Sequence, residues 1–492
     1  MSALSIAEIC AALPDGELVA SDGPDDVIIT GISQDSRLVE PGHLFVCISG
    51  GTADGHDFAA EALERGAVAL LVERSLAPLG AVGDRVPVEI IVRSTRRCVG
   101  PLAVAVFGHP SRSMTVIGIT GTNGKTTTAH LIAAALSSES RTVEVIGTLS
   151  GARTTPEAVE LQGRLAEFAD RGVDVVVMEV SSHALEMARV DGVRFAAVVF
   201  TNLGVDHLDL HGSIEAYFAA KARLFRPEFS DLAVINRDDS HGRELIENIS
   251  TSMEVVGFSD EDVEVIDVGI ATLHLRWFDN DVVVGLGGRF NVSNVVAALT
   301  VARALGVEPD EAAARIGSVG VIDGRLEVFG GADSGQPTVV VDYAHTPDGL
   351  DVLLETARSA AAGSGVVVVF GCGGDRDQHK RPLMGAAAIR GADRVIITSD
   401  NPRFEPPAQI VEQILAGVPE EDLARVMVED DRRSAITVAV ESVGVGDIVV
   451  VAGKGHERDQ EIAGVRHRFD DREVVAEVLA ELARRTRGGG RS

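Results

Sequence analysis

The chain has 492 residues, which at about 150 residues per domain points to about three domains and excludes one small module. Its 45% hydrophobic and 24% charged residues make a globular mixture and exclude a disordered or collagen-like chain. The 44 basic and 74 acidic residues leave a net charge of −30 at pH 7. That balance argues against nucleic acid as a partner, because such binding draws on a basic surface and counterion release. An anionic ligand would have to be met by locally placed basic groups.

Aromatic residues, at 4%, are too few for a base-stacking platform. Cys10, Cys47, Cys98 and Cys372 are far apart and form no CxxC pair, so neither a disulfide framework nor a zinc knuckle is indicated. The start, MSALSIAEICAALPDGE, lacks a basic n-region and carries acidic residues, unlike a signal peptide. No apolar run reaches the roughly 18 residues of a membrane span, and a cytoplasmic location is expected.

Short Val- and Ile-rich strands alternate with Ala-rich helical stretches, the pattern of parallel α/β units. In the first hundred residues strands are expected at Val27–Thr30, Leu44–Ile48, Val68–Val72 and Ile90–Arg93, with a helix at Phe58–Arg65. Val106–Met114 reads as a linker. A second series runs through Val116–Ile119, Val143–Ile146, Val173–Val177, Ala197–Phe200 and Leu232–Ile235. Gly330–Pro337, GGADSGQP, has linker composition. Beyond it come Val339–Val341, Val366–Phe370, Val395–Thr398 and Ile448–Val451. The expected division is residues 1–108, 109–330 and 331–492. Nearly every informative motif directly follows one of these strands, which places the site at their carboxyl ends, in a cleft between domains.

Thr115–Leu136, TVIGITGTNGKTTTAHLIAAAL, is an apolar strand, a Gly-rich turn, Lys-Thr and a helix. Backbone N–H groups and a helix N-terminus can cradle phosphates, Lys125 can reach the terminal ones, and Thr126 can hold Mg²⁺. Ile119 stands where the strict P-loop pattern wants Gly, so this is a variant. VDVVVMEVSSHAL delivers Glu179, Ser181, Ser182 and His183; TNLGVDHLDLHGS delivers Asn202, Asp206, His207, Asp209 and His211. A carboxylate and an imidazole at neighbouring strand ends suit a divalent ion bridging phosphate oxygens. Lys221, within AYFAAKARLF, reads by itself as a snorkelling surface lysine. Three further clusters are GRFNVSN (Gly288–Asn294), IDGRLEV (Ile322–Val328) and VDYAHTPDGL (Val341–Leu350).

Taken in order, GTNGKTT, EVSSHAL, TNLGVDHLDLHG, GRFNVSN, GRLE and DYAHTPDGL resemble the Mur ligase family, the ATP-dependent amide-forming enzymes of peptidoglycan precursor synthesis. The match covers almost the whole chain. SQDSR (Ser33–Arg37), TTPEA (Thr154–Ala158), GCGGDRDQHKRPLM (Gly371–Met384), SDNPRFEPP (Ser399–Pro407) and GKGHE (Gly453–Glu457) resemble the branch that adds a third residue to UDP-N-acetylmuramoyl-L-alanyl-D-glutamate. The resemblance implies an α/β fold of three domains: a UDP-binding one, a P-loop ATPase-like parallel sheet, and a C-terminal Rossmann-like, amino-acid-binding one.

It further implies ATP on Gly121, Thr122, Asn123, Gly124, Lys125, Thr126 and Thr127, with Asn294 near the adenine and Arg325 in the same set. Mg²⁺ is expected near Thr126, Glu179, His207 and a carbamylated Lys221; Lys125, Glu179, His207 and Lys221 form the implied catalytic set. The uridine nucleotide is expected at Ser36, Gly51, Thr52 and Ala53, and the muramoyl dipeptide at Thr154, Thr155, Ser181 and Arg189. Arg153 and Met187 stand where relatives often have Asn and Gln.

The amino acid is expected at Arg376, Asp400, Asn401, Pro402, Arg403, Gly453 and Glu457. Arg403 offers a planar fork for a distal carboxylate, and Asp400 or Glu457 can accept from an ammonium. Meso-diaminopimelate carries both groups at its far end, whereas lysine carries only the ammonium; L-lysine or another diamino acid is the alternative. The residues identify no base for the amine. A folylpolyglutamate-type ligase is the enzymatic rival, a catalytically silent scaffold the non-enzymatic one, and a monomer is expected.

Overall fold

The computed structural model describes residues 3–24, 26–51, 53–76 and 87–488. Thr52 and the side chain of Asp209 lie outside the described residues. Three large sheets follow one another along the chain. The first has the spatial order Leu18–Asp22, Val88–Val92, Ala69–Val72, His43–Val46, Gly31–Ser33; its outermost strand Leu18–Asp22 is antiparallel and the rest are parallel. The helix Thr95–Val106 packs on it and also against Ala158–Asp170 of the next unit, joining the two.

The middle sheet is parallel throughout, in the order Glu254–Phe258, Leu232–Asn236, Ala197–Phe200, Thr115–Thr120, Val175–Glu179, Val143–Ile146. A parallel sheet needs both faces covered, and its strands are correspondingly apolar on both sides. Lys125–Leu136 and Asn291–Ala304 cover one face, while Phe168, Phe195 and Phe225 fill the core on the other. Because Thr115–Thr120 lies between Val175–Glu179 and Ala197–Phe200, with Ile119 opposite Glu179 and Thr120 opposite Phe200, the loops leaving these three strands emerge side by side.

The third sheet runs Glu327–Gly330, Thr338–Asp342, Ile448–Ala452, Val366–Phe370, Arg394–Ile397, Val426–Val428. Only its first pair is antiparallel. This pairing corrects one expectation. Within Gly330–Pro337, Gly330 ends a strand and residues 331–337 are the loop of the hairpin joining Glu327–Gly330 to Thr338–Asp342, so the third sheet begins before the expected division at 330/331. A Gly-rich string serves a hairpin as well as a linker, since Gly330, Gly331 and Gly335 all have positive φ. Two antiparallel pieces were also unexpected: the small sheet Glu264–Val268, Leu273–Trp277, Asn280–Val284, and the hairpin Asp459–Ile462 with Val465–Arg468. Among the described residues, no helix is long and apolar enough to cross a membrane.

Candidate active site

The carboxyl ends of the middle and third sheets face one cavity of about 680 Å³. On the middle-sheet side, the turn after Thr115–Thr120 is shaped by positions that cannot carry a side chain. A Cβ on Gly121 would overlap Thr201 Oγ1, and one on Gly124, at φ 85°, would overlap Asn294 Oδ1. The turn is pinned from the neighbouring strand: Asn123 N donates to Asn202 Oδ1 at 2.9 Å and Thr201 Oγ1 donates to Asn123 O at 2.7 Å. The helix Lys125–Leu136 then points its N-terminus at the cavity, where its free N–H groups and dipole favour an anion.

Lys125 Nζ donates to Gly121 O and Thr122 O, both at 2.8 Å, so its ammonium is held against the turn. Burial lowers its pKa, opposed by the carboxylates of Glu179 and Asp206. Thr126 Oγ1 donates to Glu179 Oε1 at 3.0 Å and accepts from Arg325 Nη2 at 2.9 Å. Glu179 is 1% exposed; it also accepts from Thr148 N at 2.8 Å and Thr148 Oγ1 at 3.2 Å. Asn294 supports the turn from beneath: its Oδ1 accepts from Thr128 Oγ1 at 3.1 Å and its Nδ2 donates to Asn291 Oδ1 at 2.8 Å.

Lys221 is not a surface lysine. It is 1% exposed, donates to Gly121 O at 2.8 Å, and lies 4.3 Å from the Tyr217 ring centroid. Burial, reinforced by the charge of Lys125, pushes its amine well below the ordinary lysine value. His207 stands at φ 54° with Nε2 3.4 Å from Asp206 Oδ2, its ring edge-on to Tyr217.

Of the four expected metal residues, Thr126 and Glu179 are therefore in contact, while His207 and Lys221 flank Tyr217. Among the described residues no group of three or more His, Cys, Asp or Glu is placed so that it could hold a metal ion. A hydroxyl and a carboxylate beside a phosphate cradle are hard oxygen donors, a set that fits Mg²⁺, which takes one or two protein oxygens together with phosphates and water.

The third-sheet side contributes four strand ends. After Thr338–Asp342, Asp342 accepts from Leu326 N and Ala344 N, both at 2.7 Å, and Tyr343 stacks on the Arg325 guanidinium at 4.6 Å. His345 Nδ1 lies 3.0 Å from Tyr343 O, leaving Nε2 3.9 Å from Asp206 Oδ2. Burial pushes its pKa down to about 4. Asp348 Oδ2 accepts from Val205 N at 3.3 Å, a direct bond between the two sides.

After Val366–Phe370 come Arg376 and Lys380, which line the cavity; among the described residues neither side chain makes a hydrogen bond or ion pair. After Arg394–Ile397 come Asp400, Asn401 and Arg403, and after Ile448–Ala452 come Gly453 and Glu457, all lining the same cavity. Arg403, at φ 51°, spends Nη1 on Gly374 O at 2.6 Å and keeps Nε 3.7 Å from Glu461 Oε2. Pro402 does not line the cavity; its carbonyl packs where a side chain on Gly374 would be.

Of the expected dipeptide residues, Thr154 and Ser181 line the cavity; Thr155 and Arg189 stand behind them. Thr155 Oγ1 donates to Glu179 O at 2.9 Å and accepts from Ser181 N at 3.0 Å, while Arg189 donates to Thr155 O at 3.2 Å and pairs with Glu157 at 2.6 Å. Arg153 pairs with the same Glu157 at 3.6 Å. Gln34 Nε2, on the first unit, reaches Glu157 Oε2 at 3.4 Å. Ser36 donates to Glu61 Oε2 at 2.9 Å, and Ser36, Gly51 and Ala53 lie outside the cavity. Thr148, Tyr343, Asp348, Lys380 and Lys454 were not singled out from sequence. Tyr343, Asp348, Lys380 and Lys454 sit inside strings that were noted, and strand-end position was the signal available for them.

Residues 28–93 match the Mur ligase family catalytic domain, 119–302 the Mur ligase middle domain and 324–455 the Mur ligase glutamate ligase domain. Over 476 residues the chain is 44% identical to the UDP-N-acetylmuramoyl-L-alanyl-D-glutamate--2,6-diaminopimelate ligase of Chromobacterium violaceum, covering 93% of this chain and 95% of that one. The chain belongs to the Mur ligase family.

It is thus an ATP-dependent amide ligase by family. The Mur ligase of the same description from Streptomyces avermitilis is 41% identical over 508 residues, covering 98% of this chain and 97% of that one. A solved structure of a UDP-N-acetylmuramoyl-L-alanyl-D-glutamate--2,6-diaminopimelate ligase is 35% identical, with a TM-score of 0.65 over 98% of this chain and 99% of that one. A folylpolyglutamate synthase from Mycobacterium tuberculosis shares the fold over 71% of this chain and 91% of that one, at 23% identity and a TM-score of 0.57.

Proposed function

We propose that this Mur ligase joins meso-2,6-diaminopimelate to UDP-N-acetylmuramoyl-L-alanyl-D-glutamate at the expense of ATP, in peptidoglycan precursor synthesis. The observation that carries the reading is that one cavity brings the phosphate-binding turn of Gly121–Lys125 to face Arg376, Asp400, Asn401, Arg403 and Glu457. The substrate class also follows relatives 41% and 44% identical over more than nine-tenths of the chain.

In this reading the turn amides and Lys125 take the phosphates of ATP, with Thr127, Asn294 and Arg325 around them. Thr154, Thr155, Ser181 and Arg189 hold the muramoyl dipeptide, and Ser36, Gly51 and Ala53 the uridine nucleotide. The bond from Gln34 to Glu157, which pairs with Arg189, supports one ligand spanning the first and second units. The γ-phosphoryl passes to the D-glutamate carboxylate, giving an acyl phosphate and ADP. The amine attacks that carbonyl, the tetrahedral intermediate collapses, and phosphate leaves with the amide formed. Phosphoryl transfer needs mainly positioning and charge neutralisation. Thr126 and Glu179, with His207 and a carbamylated Lys221 nearby, would hold Mg²⁺, which supplies further neutralisation of phosphate charge when bound.

Arg403 and Arg376 present cations to the substrate carboxylates, and Asp400 and Glu457 present acceptors to its ammonium groups. Val205–Asp348 and Thr126–Arg325 are the contacts that close the third unit over the phosphate side. The test is phosphate release by purified protein with ATP, Mg²⁺ and the UDP-linked dipeptide against diaminopimelate, lysine and ornithine. Release with diaminopimelate far above the other two is expected; no amine-dependent release would overturn the ligase reading, and equal use of lysine would overturn the choice of amine.

A further inference from the structure

Lys454 is fully buried at 0% exposure, yet it lies in the loop that ends at Glu457. Its Nζ donates to three oxygens: Asp459 O at 2.7 Å, Glu457 Oε2 at 2.9 Å and Asn401 Oδ1 at 3.2 Å. Asn401 Oδ1 accepts a second bond from Glu461 N at 3.0 Å, and Asn401 Nδ2 donates to Glu457 Oε2 at 2.8 Å. An ammonium and an N–H both demand an oxygen, so these two donors settle which end of the Asn401 amide is which.

The donor and acceptor inventory then leaves two groups unengaged among the described residues. They are Glu457 Oε1, an acceptor, and the second N–H of Asn401, a donor. Both side chains line the cavity. The same lysine anchors the hairpin Asp459–Ile462 with Val465–Arg468 through Asp459 O. That hairpin grips Arg403, whose N donates to Glu461 O at 3.0 Å and whose O accepts from Ala463 N at 2.7 Å. Gln460 Nε2 adds a bond to Asp400 O at 2.8 Å. One buried ammonium thus sits at the junction of Asn401 and Glu457 and, through the hairpin, of Arg403.

We propose that Lys454 is a positioning residue for the distal end of the amine substrate. It orients a donor and an acceptor side by side for a carboxylate and an ammonium carried on one carbon, and touches no substrate itself. The inference rests on the third-sheet side of the cavity being the amine site. A ligand whose end carries only an ammonium would leave the Asn401 N–H and Arg403 without their anion, so the Lys454 network favours the zwitterionic end over the simple one.

The experiment is steady-state kinetics of Lys454→Met with each substrate varied in turn. The expected result is a KM for diaminopimelate raised by about tenfold or more, the scale of a lost charged hydrogen-bond network. The preference for diaminopimelate over lysine in kcat/KM falls by a similar factor, with the KM values for ATP and the UDP-linked dipeptide unchanged. A folded variant with an unchanged KM for diaminopimelate, or one whose kcat falls while the KM and the preference stay put, overturns the proposal. Lys454→Gln, which keeps a donor for Asp459 O without the charge, is the second variant if the first does not fold, with the same expected and overturning results. Failure of both to fold also overturns it, because Lys454 is then scaffold alone. Wild-type protein that turns over neither diaminopimelate nor lysine would instead remove the amine-site reading beneath the inference.

Discussion

The Thr126 hydroxyl donates to Glu179 Oε1 at 3.0 Å while accepting from Arg325 Nη2 at 2.9 Å, so a single oxygen joins the phosphate-binding helix, the strand Val175–Glu179 and the segment entering the third sheet. Thr126→Ala removes that junction, taking from Arg325 Nη2 its acceptor and leaving Glu179 with its two Thr148 bonds alone. The expected outcome is a fall in kcat of about 100-fold, the scale of losing one preorganised polar group at a reacting centre. Thr126→Ser, which keeps the hydroxyl, should hold most of the activity; phosphate release measured over a Mg²⁺ titration checks both.

Lys221 has the environment of a lysine that reacts with carbon dioxide. Its amine is pushed well below the ordinary lysine value by burial and by Lys125, which favours the free base over the ammonium relative to an exposed lysine. The nitrogen lone pair adds to the carbon of CO₂ and a proton is released, giving a carbamate in place of a cation. Protein incubated with ¹³C-bicarbonate should show a carbamate carbon resonance that Lys221→Ala lacks. That variant should also lose about 100-fold or more in kcat, because an oriented charge at the phosphoryl site is gone; full activity in Lys221→Ala would reject the assignment.

Arg403 already spends one N–H on Gly374 O, so its remaining donors form a fixed fork whose direction a lysine cannot copy. Arg403→Lys should raise the KM for diaminopimelate by about 10- to 100-fold, the scale of a charge-assisted pair, and change the KM for lysine little. An amine panel run on the variant and the wild type reads this directly.

His345 and His456 are each pushed down to about 4, chiefly by burial. In the unfolded chain both return to about 6.5. Between those values the unfolded state binds protons that the folded state refuses, so stability falls as pH drops from about 6.5 towards about 4. Replacing both by Gln should flatten the dependence of the urea midpoint over that window. A wild-type-like slope in the double variant would show that other groups carry it.

The parallel middle sheet and the Gly-rich turn after Thr115–Thr120 were legible because local signals agreed: apolar strands, punctuating glycines and Lys-Thr at a helix start. Lys221 was misread as long as its own helix was considered alone, since AYFAAKARLF carries no sign that Tyr217 and the Gly121 carbonyl will enclose it. Gly330–Pro337 was taken for a linker because GGADSGQP suits either role and only the pairing of Glu327–Gly330 with Thr338–Asp342 distinguishes them. Lys454 and Thr148 act through contacts to residues far away in sequence or through a backbone N–H, which residue type does not announce. The strings that line the third-sheet side of the cavity were visible at strand ends, but not the hydrogen bonds among their atoms.

The Arg325 guanidinium sits over the Tyr343 ring, 4.6 Å from its centroid, while its Nη2 donates to the hydroxyl of Thr126. One side chain thus ties Thr126, on the proposed ATP side, to Tyr343 at the end of a third-sheet strand, and ligands on the two sides are expected to be coupled through it. Whatever factor ATP adds to the affinity for the amine, the amine must return to the affinity for ATP. The order in which the two arrive then alters the route to the closed enzyme but not its free energy.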